Sequence, residues 1–307
     1  MNSKVKELTL LKERVEELPS DATSEIATLQ QLIARLEADT DKKLTAWEQI
    51  QLSRHQDRPY TLDYITRLFS SFRPIHGDRK FGDDPALVGG MALFEGQPVM
   101  VLGQQKGRNT KDRLYRNYGM AKPEGYRKSI RLMSLAEKFN RPIFTFIDTP
   151  GAYPGLGAEA RGQAQAIADN LRTMVRLRVP IVVTVLGEGG SGGALAISLG
   201  DRVLMLEHSI YSVISPESCS AILWKDQNHV QEAAQALQLT AQDLLRFKLI
   251  DEIVPEPTGG AHLNWDEAAA NLKMALLRNF KAIRDLGPDE RLAARFEKFR
   301  SIGDFFE

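Results

Sequence analysis

The residues best suited to chemistry lie in two glycine-rich stretches. Gly187-Glu188-Gly189-Gly190-Ser191-Gly192-Gly193 follows an apolar run at 181–186 and precedes the small-residue segment Ala194-Leu195-Ala196-Ile197. Glycines there permit positive φ and let a ligand approach backbone N–H groups closely. A helix start adds unpaired donors and a positive dipole end, so the place suits negative charge. The second stretch, Thr149-Pro150-Gly151-Ala152-Tyr153-Pro154-Gly155-Leu156-Gly157, also follows an apolar run, at 143–147. Parallel strands would bring both turns to one edge of a sheet, where α/β proteins bind ligands.

Three chemistries compete for these turns. Gly187, Gly189 and Gly192 match the G-x-G-x-x-G of a dinucleotide site, and Glu207 lies about twenty residues on. Against this, the motif comes late, after a hairpin and a strand–helix unit. Gly189 to Gly193 also matches G-x-S-x-G, with Ser191 as nucleophile of a serine hydrolase. His208, His229 or His262 would then be the base and Asp251 its orienter, yet no Asp-then-His pair stands out. A phosphate-binding P-loop lacks its Gly-Lys-Ser/Thr. The third chemistry is an oxyanion hole: reaction at the α-carbon of an acyl-CoA passes through an enolate, whose oxygen needs converging N–H donors. One such donor is worth about 3 kcal/mol, and two loops supply a pair.

The remaining pattern describes what must position the turns. Val5, Leu8, Leu11, Val15 and Leu18 share one helical face, Pro19 stops that helix, and Ser20 or Asp21 caps the next. Ile26, Leu29, Ile33 and Leu36 make a second stripe, giving a helical hairpin that packs on its own domain or on a partner subunit. Helices are predicted at 44–54 and 61–72. A β-hairpin, 86–94 with 98–102, turns at Glu95-Gly96. Pro123 begins a helix to 139. Strand 143–147, a long helix at 158–177, strand 181–186, the glycine turn and a short helix at 192–199 follow. Strands at 203–206, 211–214 and 250–254 and two closing helices complete the chain. Uniformly apolar strands separated by helices predict a largely parallel sheet covered on both faces.

Composition sets the outer bounds. The chain has 307 residues, 43% hydrophobic, with Lys+Arg and Asp+Glu both 40 and a net charge of +0. No overall field draws it to nucleic acid or to an anionic membrane. The single cysteine, Cys219, excludes an internal disulfide and a multi-cysteine zinc site. No apolar run reaches the roughly 18 residues of a spanning helix, and the N-terminus lacks the apolar core of a signal peptide. The expected compartment is the cytoplasm.

Longer motifs point to a family. Asp148 to Gly155, Arg161-Gly162-Gln163, Gly187 to Gly193 and Tyr211-Ser212-Val213-Ile214-Ser215-Pro216-Glu217 resemble the carboxyltransferase α-subunit family of bacterial- and plastid-type acetyl-CoA carboxylase. So do Arg58-Pro59-Tyr60-Thr61-Leu62-Asp63-Tyr64, Gly103 to Arg108, Pro123 to Lys128 and Pro255 to His262. The resemblance implies an α/β, crotonase-like fold of repeated ββα units with an N-terminal helical extension. It divides the chain into an arm at 1–43, the main domain at 44–285 and a C-terminal helix at 286–307. It implies carboxyl transfer from carboxybiotin, on a biotin carboxyl carrier protein, to acetyl-CoA, giving malonyl-CoA for fatty-acid synthesis. The partners implied are a zinc-ribbon β subunit in an α2β2 heterotetramer, the carrier protein and biotin carboxylase, with no metal in this chain, no membrane and no nucleic acid.

The resemblance also distributes roles. The backbone N–H groups of Gly192, Gly193, Gly151 and Ala152 hold the biotin ureido oxygen, while the β subunit holds the enolate. Gly189, Gly190, Ser191, Tyr153, Gly155, Lys106, Gly107 and Arg108 surround the substrate, and Ser191 serves through its backbone. No side-chain base is needed if the ureide takes the methyl proton, which accounts for the missing catalytic histidine. The stretch 106–131 holds Lys106, Arg108, Lys111, Arg113, Arg116, Lys122, Arg127, Lys128 and Arg131 against Asp112 and Glu124. It is expected either to meet CoA phosphates, the acidic carrier or the β subunit, or to be a solvated helix face.

Overall fold

The computed structural model describes residues 44–303 throughout, with residues 11, 14, 15, 18, 22 and 26–33 before them. Most of the expected arm at 1–43 therefore lies outside the described residues; 26–33 is helical.

The apolar runs form one eight-stranded sheet. Its strands are β1 (Ser70–Pro74), β2 (Leu87–Phe94), β3 (Gln97–Gln104), β4 (Ile143–Thr149), β5 (Ile181–Gly190), β6 (Arg202–Leu206), β7 (Ile210–Ser212) and β8 (Glu252–Val254). The order is β1-β2-β3-β4-β5-β6-β8, with β7 on the distal part of β5. β1, β2 and β3 are antiparallel, and every pairing from β3 onward is parallel. The predicted hairpin is β2–β3, whose two-residue turn places Glu95 at φ 49° and Gly96 at φ 76°, the positive values that a tight hairpin requires.

The helices are α1 (Ala46–Ser53), α2 (Thr61–Leu68), α3 (Thr110–Tyr115), α4 (Pro123–Lys138), α5 (Leu156–Ala160), α6 (Gln163–Met174), α7 (Ser191–Leu195), α8 (Pro216–Leu223), α9 (Val230–Leu237), α10 (Ala241–Arg246), α11 (Trp265–Arg284) and α12 (Pro288–Arg300). Successive strand residues point to opposite faces, and each face has its own helical cover. Ile181, Val183 and Val185 pack with Leu132 and Met133 of α4, Met174 of α6 and Ala194 of α7. Val182 and Leu186 pack with Tyr64 and Ile65 of α2 and with Leu272, Leu276 and Phe280 of α11.

Three expectations change. The helix predicted at 61–72 ends at Leu68, and Ser70–Pro74 becomes an edge strand, where Pro74 costs no ladder bond. The single helix at 158–177 is two, α5 and α6, separated at Gly162, whose φ of 80° no helix interior accepts. The glycine turn is mostly strand: Glu188, Gly189 and Gly190 pair with Ile210, Tyr211 and Ser212, so β5 runs ten residues.

Candidate active site

The two glycine stretches lie side by side because β4 and β5 end together, with Thr149 paired to Gly189. Their contact is backbone on backbone. A Cβ on Gly190 would lie 2.1 Å from the Pro150 carbonyl oxygen. One on Gly193 would lie 2.4 Å from the Gly151 carbonyl carbon and 2.6 Å from the Ala152 nitrogen. Ser191, at φ 49°, turns the chain from β5 into α7. At that helix start the N–H groups of Ser191, Gly192 and Gly193 have no intrahelical acceptor. Gly192 is open: a Cβ there would meet only Ile167, at 3.5 Å.

The fourth expected donor behaves differently. The Gly151 N–H donates to Thr149 Oγ1 at 3.1 Å, and that hydroxyl donates back to the Gly151 carbonyl at 2.7 Å. Gly151 is buried while Ala152 is half-buried. The Tyr153 N–H donates to the Ala121 carbonyl at 3.0 Å. The Tyr153 ring lies beneath Lys122 Nζ at 5.1 Å and against Gly155, where a Cβ would come 2.5 Å from it.

A chain of charges runs beneath the turns. Lys106 Nζ lies 2.9 Å from Asp148 Oδ1 and 2.7 Å from Glu188 Oε2. Arg54 Nε reaches Glu188 Oε1 at 2.7 Å, and its Nη1 reaches Glu217 Oε1 at 2.5 Å. Asp148 Oδ1 also accepts the Glu188 N–H at 3.1 Å. Burial by itself would lower the pKa of Lys106, but Asp148 and Glu188 overcome it and raise the value. Burial would raise that of Glu188, and Lys106 and Arg54 hold it low. Both groups stay ionised. They line a cleft of about 560 Å³ together with Arg54, His55, Tyr60 and Pro150.

Lys106 therefore faces the cleft with its charge matched by two carboxylates. Arg108 is a structural clamp: it pairs with Asp63, stacks between Tyr60 at 4.1 Å and Trp265 at 4.4 Å, and donates to the Gln56 and Arg58 carbonyls. Gly107 is buried where a Cβ would sit 2.2 Å from the Arg113 nitrogen. The rest of the basic stretch is similarly engaged. Arg116 pairs with Asp112, Arg127 with Asp78, and Lys128 with Asp83. Arg131 donates to the His76 and Gly77 carbonyls. The expected open basic surface is thus largely tied to this chain's own acceptors.

The two rival motifs do not form their sites. Gly187 and Gly189 lie within β5, and the helix after them has five residues, too short for the dinucleotide arrangement. Glu207 accepts the Glu256 N–H at 3.0 Å. Ser191 is exposed, and His229 is held by Glu232 at 2.9 Å and stacks on Trp224. Asp251, proposed as orienter, pairs with Lys298. Among the described residues no cluster of three His, Cys, Asp or Glu side chains is placed to hold a metal.

Sequence reasoning missed Arg54, Asp148, Glu188 and Gln104 as parts of the site. A signal existed for two of them. Asp148 and Glu188 each follow an apolar strand run by one or two residues, Asp148 just before one glycine stretch and Glu188 inside the other.

Comparison with known proteins supplies the context. The sequence model of the family described as acetyl co-enzyme A carboxylase carboxyltransferase-like matches residues 1–303. The acetyl-coenzyme A carboxylase carboxyl transferase subunit alpha of Geobacter metallireducens is 54% identical over 304 residues, covering 97% of this chain and 95% of the relative. The protein of the same name from Thermus thermophilus is 54% identical over 297 residues, covering 97% and 94%. Among solved structures, a Pseudomonas malonate decarboxylase hetero-tetramer in complex with coenzyme A superposes with a TM-score of 0.63 at 18% identity, over 78% of this chain and 95% of that one. Transcarboxylase 12S superposes with a TM-score of 0.60 at 17% identity, over 81% of this chain; this chain spans 45% of that one. These two likenesses establish the crotonase-type fold.

Proposed function

The chain belongs to the acetyl co-enzyme A carboxylase carboxyltransferase-like family, and from that premise we propose that it is the α subunit of a multi-subunit acetyl-CoA carboxylase, moving a carboxyl group to acetyl-CoA to give malonyl-CoA. The observation that carries the reading is the backbone contact of Gly190 and Gly193 with Pro150, Gly151 and Ala152. It leaves the small, donor-lined cradle that a developing oxyanion needs. Carboxybiotin, brought by a carrier protein, supplies the activated carboxyl group.

This chain's part is to bind and to stabilise. The N–H groups of Gly192, Gly193 and Ala152 donate to the ureido oxygen as charge develops on it. Gly151 contributes mainly by holding the turn through Thr149. Gly189 and Gly190 keep β5 close to its neighbours, and Ser191 turns the chain. Tyr153, Gly155, Lys106 and Gly107 shape the approach. Lys106 and Arg54, set against Asp148 and Glu188, give the cleft a fixed, internally matched charge, so a flexible lysine does not compete for the donors' oxygen. A β subunit provides the enolate-stabilising half, in a cytoplasmic α2β2 assembly served by biotin carboxylase.

The test is reconstitution. This chain, a β subunit and their mixture are each given carboxylated carrier protein and acetyl-CoA, and malonyl-CoA is measured. Only the mixture is expected to turn over. Robust transfer by the isolated chain would overturn the two-subunit reading, and an inert mixture containing a competent β subunit would overturn the reaction assignment.

A further inference from the structure

β3 ends on Gln104, which is fully buried at 0% exposure. Its side chain touches both glycine stretches. The amide oxygen accepts the Asp148 N–H at 3.2 Å, at the end of β4. The amide nitrogen donates to the Gly193 carbonyl at 2.9 Å, in α7. The Gly193 carbonyl accepts this side chain because the Ile197 N–H, the acceptor's usual partner in an α-helix, turns instead to Ala194 at 3.3 Å. The main chain of Gln104 is itself fixed, its carbonyl accepting the Thr61 hydroxyl at 2.5 Å.

A carboxamide offers a donor and an acceptor at one branch point. Here the two ends meet the two turns whose separation decides where the N–H donors converge. We propose that Gln104 is a positioning residue for carboxyl transfer: it sets the spacing of the Pro150–Ala152 and Gly190–Gly193 turns and so aims the N–H groups of Ala152, Gly192 and Gly193. The proposal rests on the carboxyltransferase reading above. Lys106 complements it, joining Asp148 to Glu188 on the cleft side of the same strand ends.

Two substitutions separate positioning from mere filling. Gln104→Leu keeps the volume and removes both polar contacts. Gln104→Glu keeps the shape; ionised, it accepts from Asp148 but cannot donate to Gly193, whereas protonated it offers one donor and one acceptor. The charged groups of this region are Asp148 on β4, Glu188 on β5, Lys106 after β3 and Arg58 before α2. Burial and the two carboxylates push the carboxyl pKa of that variant up, and Lys106 and Arg58 push it down.

Both variants are assayed in the complex with the β subunit, beside wild type and Gly193→Val. Gln104→Leu is expected to lower kcat by about 10- to 100-fold, the scale of a misaimed site, with KM for acetyl-CoA nearly unchanged. Gln104→Glu should lower kcat while its carboxyl is ionised and recover as falling pH protonates it, because protonation restores the lost donor. An unchanged kcat in Gln104→Leu, while Gly193→Val abolishes transfer, would overturn the positioning role alone. Full transfer by Gly193→Val would overturn the donor reading and this proposal with it.

Discussion

At the N-terminal ends of the central strands a single side chain closes the structure, whereas at their C-terminal ends backbone meets backbone. Arg295 of α12 is 2% exposed. It holds Asp201 through Nε at 2.8 Å and Nη2 at 2.9 Å. It also donates to the carbonyls of Met174 at 2.7 Å, Leu177 at 2.8 Å and Val179 at 3.2 Å. Asp201 in turn accepts the Ile181 N–H at 2.8 Å, where β5 begins. Every polar group named there is satisfied within the chain, as a purely structural end requires. At the other end of β5 the glycines exclude side chains and leave the donors of α7 unmatched within their helix. One end is completed by the fold, and the other is left for a ligand to complete.

Breaking the closed end should have the largest effect on stability. Arg295→Met leaves Asp201 buried without its cation, which typically costs about 3–5 kcal/mol. The urea midpoint should fall accordingly, with kcat of the folded complex unchanged. A loss of kcat without a loss of stability would place α12 in the site and dissolve the contrast.

The open end should show the reverse balance. Gly193→Val drives a side chain into Gly151 and Ala152 and misaims the donors; turnover should fall ~10²–10³-fold, the scale of one lost oxyanion donor. Ser191→Ala, which leaves the backbone in place, should change turnover by only a few-fold. Abolished activity in Ser191→Ala would restore the nucleophile reading.

A further effect concerns acid. Burial, then the neighbouring His55 and Arg58, lower the His262 pKa from 6.5 to about 4. The His262 ring lies tilted against that of His55, with centroids 4.1 Å apart, and His55 lines the cleft. The unfolded chain binds a proton near pH 6.5 that the folded chain refuses until about pH 4. The unfolded state therefore gains protons first, and stability falls as pH drops through that window. Denaturant midpoints across the window should show this slope, and His262→Gln should flatten it.

Several features were legible because they depend on neighbours in sequence. The apolar runs at 143–147 and 181–186 became β4 and β5, and Glu95-Gly96 became the hairpin turn. The adjacency of the two glycine stretches followed from the rule that parallel strands present their C-terminal ends together. The break at Gly162 was not legible, because a lone glycine inside a helical pattern usually passes. Nor was the edge strand Ser70–Pro74, whose alternation is weak and whose register with β2 shifts between Ser70 and Arg73.

The partners of the charged residues were not legible for a different reason. Lys106 and Arg108 read as unmatched cations because their partners are remote in the chain. Lys106 meets Asp148 and Glu188, and Arg108 meets Asp63. A cation's role depends on whether an anion stands within a few ångströms, and local sequence does not carry that distance.

Residue type and spacing alone settled the family resemblance, the strand–turn–helix grammar and the glycines that allow a close backbone approach, since these are properties of φ, ψ and apolar periodicity. Only the tertiary structure decided which donors stay open, which cations are already matched and that Gln104 spans the two turns. Those outcomes depend on groups brought together from strands 40 to 90 residues apart, a convergence that exists once the sheet has formed.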